Sequence, residues 1–145
     1  MRTALWPDDT GSHAADIARF FSPQRSEPLE VLLACSGAGA PLGFVELSIR
    51  PHAAGCTSDR VAFVEGWYVE PEHRRRGVGA ALMRAIEEAG RAAGYPEIRI
   101  GVRASLPGNL RFYEDLGYRT LAAGPHPRGP DYDMTLGKDL RLPTR

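Results

Sequence analysis

One stretch constrains this chain more than any other. Val64-Glu-Gly-Trp-Tyr-Val-Glu-Pro-Glu-His-Arg-Arg-Arg-Gly-Val-Gly-Ala-Ala-Leu82 reads as a β-prone run, a proline stop, a basic turn, paired glycines and the opening of an amphipathic helix. Gly77 and Gly79 let the backbone approach a ligand and adopt conformations that a side chain forbids. Consecutive amides can then converge on phosphate oxygens, and the helix start adds roughly half a positive charge. Arg74, Arg75 and Arg76 add a cationic rim, so the segment is physically an anion cradle. For a lone Gly-x-Gly the plainer alternative, a tightened turn with solvated arginines, stays open. A dinucleotide fingerprint wants Gly or Ala where this chain has Leu82, and a P-loop wants Gly-Lys-Ser/Thr, which is absent.

The flanking pattern places this cradle in a mixed α/β domain with α+β layers. Ser12 is a plausible N-cap for a helix through about Phe21, with Ile17, Phe20 and Phe21 as its buried side. Val31–Cys35 and Phe44–Ile49 are β-prone and separated by the glycine-rich 36–43 segment, which predicts a hairpin. A loop then leads to a strand over Val61–Val69, which Pro71 stops. From Gly77, helical spacing puts Val78, Leu82, Ile86, Ala89 and Ala93 on one stripe and Arg84, Glu87, Glu88 and Arg91 away from it, with Gly94 as a C-terminal cap. Ile98–Val102 reads as a strand, Pro107 to about Leu116 as a helix ended by Gly117, and two strands near 118–122 and 132–136 follow.

The chain has 145 residues, which fits a single domain over 1–145. Eighteen Lys plus Arg balance eighteen Asp plus Glu, so no global field draws the protein to nucleic acid or an anionic membrane. The two cysteines, Cys35 and Cys56, form neither a disulfide framework nor a metal-ligand set, and no metal is expected. With no apolar run of membrane-spanning length and no secretion signal, a reduced, cytoplasmic setting is expected.

Arg74-Arg-Arg-Gly77-Val-Gly79 resembles the Arg/Gln-x-x-Gly-x-Gly/Ala acetyl-CoA signature of the GCN5-related N-acetyltransferases (GNAT), and Asn109-Leu-Arg-Phe-Tyr113-Glu-Asp-Leu-Gly117-Tyr118 is similar to their Phe-Tyr-x-x-x-Gly-Phe/Tyr helix and strand. The resemblance implies a central, mostly antiparallel, splayed sheet flanked by helices, here without the family's first strand. It implies acetyl-CoA as cosubstrate and a primary amine as acceptor. The backbone of Trp67, Tyr68 and Val69 would pair with the pantetheine arm like an added strand, and the amides of Arg75, Arg76, Gly77, Val78, Gly79 and Ala80 would hold the pyrophosphate. By the same match Tyr113 would protonate the departing thiolate, the alternative being a packed helix aromatic.

If the amine attacks the thioester directly, the protein must bind, orient and remove a proton, because an ammonium such as that of Lys titrates near ~10.4. Glu65 is the candidate acceptor of that proton and Glu46 the second; a structural acid at position 65 remains equally open. Glu70 and Glu72 add carboxylates near the same opening.

Within the family, Ala4-Leu-Trp6-Pro-Asp-Asp, Gly43-Phe-Val-Glu-Leu-Ser-Ile-Arg50, Gly55-Cys56 and the 65–77 segment resemble the aminoglycoside 6′-N-acetyltransferases. That implies Trp6 and Glu65 lining the acceptor pocket, with His52 where an aromatic often stands. Three departures accompany it. Ile100 and Gly101 replace a Ser-Asp pair that ends the corresponding strand. Leu106-Pro-Gly-Asn109 replaces the usual lead-in to the last helix, and the tail Gly124-Pro-His-Pro-Arg-Gly-Pro130 is closer to other acetyltransferases. A peptide amine or small metabolite as acceptor, a non-catalytic acyl-CoA-binding module, and a second copy of the chain as partner complete the expectations.

Overall fold

The computed structural model describes residues 1–7, 11–23, 28–56, 58–125 and 132–143. Helices α1 (Arg2–Leu5) and α2 (His13–Phe20) precede strands β1 (Glu30–Cys35), β2 (Pro41–Arg50) and β3 (Val61–Val69). Helix α3 (Val78–Ala92), strand β4 (Glu97–Arg103), helix α4 (Pro107–Asp115) and strands β5 (Arg119–Pro125) and β6 (Tyr132–Asp139) follow. The six strands run in the order β1-β2-β3-β4-β6-β5, and among the described residues no strand precedes β1. The chain divides into two compact units, one of residues 1–48 and 65–86, the other of 49–64 and 87–145, with the boundaries falling inside β2, β3 and α3. Asp8 and Asp9 of the opening motif and residues 126–130 of the tail lie outside the described residues.

In the first unit, β1 and β2 form the expected antiparallel hairpin, from Glu30↔Leu47 to Cys35↔Pro41 with a shift at Ala34/Cys35. Its turn closes through Gly39 at φ 84° and through Ser36, whose hydroxyl accepts from the Ala40 amide. Strand β2 is buried continuously from Gly43 to Ser48 rather than alternately, the mark of a strand covered on both faces. Two contacts orient β3 against it: the Glu70 amide donates to the Leu42 carbonyl, and Ser48 Oγ lies beside Glu65. Positions 42 and 48 meeting 70 and 65 means the two strands run antiparallel. At Gly43 an added Cβ would meet the Tyr68 carbonyl oxygen at 2.6 Å, so only glycine allows this approach.

In the second unit the start of β3 pairs in parallel with β4, and the register ends at Val64↔Ile100. Strand β4 then pairs antiparallel with β6 from Glu97↔Asp139 to Arg103↔Asp133, and β5 closes on β6 with a shift between Thr120 and Ala122. Val61, Ile98, Ile100, Leu136 and Leu140 form its apolar core, joined by Tyr113 and Tyr118. Gly117 at φ 92° ends α4, and the Tyr118 amide returns to the Tyr113 carbonyl, the reversal a helix commonly makes at a glycine.

Two helix faces differ from expectation. In α2 the buried residue is His13, while Ile17 is 47% and Phe21 78% exposed. His13 is drawn inward because its Nε2 pairs with the Trp6 carbonyl at 3.1 Å and its ring lies 6.3 Å from the Trp6 ring; Ile17 and Phe21 then face outward, while Phe20 is half-buried. In α3, Glu87 is 1% exposed rather than on the solvent side, because Lys138 Nζ of β6 donates to its Oε2 at 2.7 Å. Burial, and then the Glu87 carboxylate, push the neighbouring Tyr118 phenol well above its ordinary pKa.

A carboxylate so deeply buried depends on its partner. Lys138→Met should lower stability by about 3–5 kcal/mol, roughly 10 °C in Tm for a domain of this size. Adding Glu87→Leu should restore most of it, as the melting curves of the single and double variants will report; equal Tm for wild type and Lys138→Met would show the pair to be idle.

Candidate active site

The strand-turn-helix is built as the sequence suggests, by a sharp reversal from β3 into α3. After β3 a 3-10 turn spans Pro71–His73, Arg74 is extended, Arg75 takes φ 59° and Gly77 φ 83°. A left-handed arginine costs on the order of 1 kcal/mol, strain of a kind that concentrates at ligand-holding turns. The Ala81 amide makes the helix bond to the Gly77 carbonyl. The amides just before it have no acceptor within the helix and so point out of its N-terminus. An added Cβ at Gly77 would meet no atom within 4 Å, so this side of the turn is open. Arg75 and Arg76 are exposed beside it.

Gly79 and Arg74 have second roles that the sequence reading did not assign. A side chain at Gly79 would run into the Trp67 indole ring, and Trp67 Nε1 donates to the Gly79 carbonyl at 3.3 Å. Arg74 folds back on β3: its Nε donates to the Val69 carbonyl at 2.9 Å and its guanidinium lies 5.6 Å from the centre of the Tyr68 ring. It thus engages one of the backbone acceptors expected for the pantetheine arm. Arg75 and Arg76 remain exposed beside the turn.

The acceptor-side candidates Trp6, Glu46 and Glu65 come together in the same unit. An added Cβ at Gly66 would sit 2.5 Å from Trp6, so the indole lies directly over the bare backbone of β3, with Phe44 at 6.3 Å. Glu46 is 4% exposed and forms an ion pair with Arg2. Burial raises its carboxyl above the usual range, while the Arg2 charge and hydrogen bond oppose that rise. Ser48 Oγ donates to Glu65 Oε1 at 2.5 Å, and the Glu65 charge is felt at Glu46. Arg2 reaches Asp16 as well, at 3.6 Å, and stacks 5.0 Å from the Trp6 ring centre. Arg2, Asp16 and Ser48 were not foreseen as members; no periodicity marks them, since they arrive from α1, α2 and β2. Glu70 accepts from the Tyr68 hydroxyl at 3.3 Å, and Glu72 is exposed.

In the second unit, His52 is exposed in the loop after β2. Tyr113 is 4% exposed, its ring 5.8 Å from that of Tyr118 in an edge arrangement, and burial holds its phenol well above the ordinary value. Gly101 is exposed near Phe63, on whose face Arg50 stacks at 3.6 Å. Among the described residues no group of His, Cys, Asp or Glu could hold a metal ion.

Residues 1–118 match the model of the acetyltransferase (GNAT) family, and the chain belongs to that family. It is 51% identical over 98 residues to an aminoglycoside N(6′)-acetyltransferase type 1 of Klebsiella aerogenes, a match covering 67% of this chain and 64% of that protein, just under two thirds of its length. A relative of the same name from Serratia marcescens is 30% identical over 121 residues, covering 81% of this chain and 80% of its own. Among solved structures, AAC(6′)-Iy in complex with the bisubstrate analogue CoA-S-monomethyl-acetylneamine superposes with a TM-score of 0.78 at 27% identity, over 89% of this chain and 86% of that one.

The two glycines of the cradle should respond differently to substitution. Gly79→Ala forces the Trp67 ring to move, costing about 1–3 kcal/mol with a shift in tryptophan emission. Gly77→Ala meets no atom but keeps a left-handed backbone, costing about 1 kcal/mol with emission unchanged. Identical spectra and melting curves for the two variants would contradict the Trp67–Gly79 packing.

Proposed function

We propose that this chain is an acetyl-CoA-dependent N-acetyltransferase whose acceptor is a primary amine of an aminoglycoside or a similar polycationic amine, working as one domain over 1–145 in the cytoplasm. The observation that carries the reading is the placement, in one compact unit, of an open helix-N-terminal cradle and a group of partly buried carboxylates around Trp6. The names of its relatives, and the coenzyme A analogue in AAC(6′)-Iy, support it.

The turn suits a pyrophosphate: its helix-start amides lack acceptors within the helix, the space beside Gly77 is open, and Arg75 and Arg76 stand exposed next to it. When bound, acetyl-CoA supplies an acetyl thioester to the attacking amine. Trp67 and Tyr68 offer backbone to the pantetheine arm. The carboxylates hold the cationic acceptor, since charge-assisted hydrogen bonds are about twice as strong as neutral ones. Glu65, oriented by the Ser48 hydroxyl, takes the proton that the ammonium must lose before its nitrogen attacks. Tyr113 supplies a proton to the thiolate as the carbon–sulfur bond breaks, since a phenol carries its proton at neutral pH. Gly101, bare where similar enzymes carry an acid, favours a second reading in which the acceptor is a peptide amine or small metabolite.

Three measurements test this. Arg75→Glu with Arg76→Glu should weaken coenzyme A binding about 10- to 100-fold by calorimetry; unchanged affinity would move the nucleotide elsewhere. Tyr113→Phe and Glu65→Gln should each lower turnover roughly 10²- to 10⁴-fold in a chemistry-limited assay, and wild-type rates would reduce both to packing. In an acceptor screen of kanamycin-type sugars, polyamines and peptides, efficient acetylation of peptides with every aminoglycoside inert would replace the acceptor class and leave the acetyltransferase reading standing.

A further inference from the structure

The acidic group on the acceptor side already holds a cation, and that cation belongs to the chain. Arg2 pairs with Glu46, reaches Asp16 at 3.6 Å and lies 5.0 Å from the Trp6 ring centre. Carboxylates on one side and an aromatic face on the other are the contacts by which proteins bind a protonated amine. Glu65 adds negative potential at Glu46, while Arg19 touches Asp16 from the exposed rim at 3.4 Å.

We propose that Arg2 is a specificity-determining residue, an internal stand-in for one substrate ammonium, and that an acceptor enters the acidic group only by competing with its guanidinium. The inference rests on the acceptor assignment made above and extends it to a selection rule. An acceptor with several ammonium groups engages several carboxylates at once and outcompetes one tethered guanidinium; a monoamine engages one and competes poorly. Trp6 anchors the backbone of α1 over Gly66, but the Arg2 side chain itself is held loosely enough for this. Helix α1 has four residues, buries none of them and has no side-chain cap. The Arg2 side chain is 23% exposed and its buried Nε finds no hydrogen-bond partner among the described residues. What holds the guanidinium is therefore the set of contacts an arriving cation contests. Without Arg2, the almost wholly buried Glu46 would need another counter-charge, and a polycation can provide it.

The test compares kcat/KM for a polycation, kanamycin or spermine, with that for a monoamine in the wild-type chain, Arg2→Met and Arg2→Lys. In Arg2→Met the polycation-to-monoamine ratio should rise about tenfold through KM, as expected for removing one competing charge at a partly solvated site. Arg2→Lys should return the wild-type ratio. A merely structural Arg2 would lower turnover for all acceptors together; an unchanged or reduced ratio in Arg2→Met overturns the proposal. Should Arg2→Met fail to fold, Arg2→Gln removes the charge while keeping polar atoms and carries the same comparison. If the wild-type chain acetylates no polycation, the acceptor assignment fails on its own. Spermine titrated calorimetrically into wild type and variant then decides the inference: about tenfold tighter binding without Arg2 supports it, and equal or weaker binding overturns it.

Discussion

The first unit depends on two tryptophans lying over two glycines. Trp67 occupies the space at Gly79, where a side chain would collide with it, and closes the contact with its Nε1 bond to the Gly79 carbonyl. Trp6 does the same over Gly66. Indoles are large and rigid, and in an interior packed to crystal-like density their position leaves little slack. The first contact sets where α3 begins relative to β3, so the strained turn through Arg75 and Gly77 and the outward amides are held from behind. The second anchors the start of the chain to the middle of β3 and brings α1, with Arg2, to Glu46.

Charge is handled locally. With formal net charge zero, two carboxylates among the described residues are nonetheless taken almost wholly out of water, Glu46 and Glu87, each against a cation. The pairs differ in setting. Glu87 meets Lys138 from a neighbouring strand, both side chains mostly buried, an arrangement that resists exchange because separating the partners strands a charge. Glu46 meets Arg2 from a short helix with no buried residue, beside Asp16 and within reach of the Glu65 field. The first pair is closed within a core, whereas the second leaves its cation partly exposed.

The element sequence was legible because each segment carries its own signal: alternation or continuous apolarity for strands, a stripe for α3, and Pro71, Gly94 and Gly117 as stops. The turn into α3 was legible for the same reason, since Arg74–Gly79 is contiguous and local backbone chemistry makes it. The buried side of α2 was misread because its apolar residues suggested a face that the His13–Trp6 contact overrides. Glu87 was misread because its partner lies fifty-one positions away on β6.

By itself the sequence determined the family and the strand-turn-helix from β3 through the paired glycines into α3, because these follow from short-range patterns of backbone freedom, hydrophobic period and charge. Only the tertiary structure decided what those residues touch. It tied Arg74 to the Val69 carbonyl, gave Gly79 to Trp67, set Ser48 on Glu65 and placed Arg2 on Glu46. Such pairings join positions far apart in the chain, and burial, which makes them strong, is a property of the packed fold rather than of any segment.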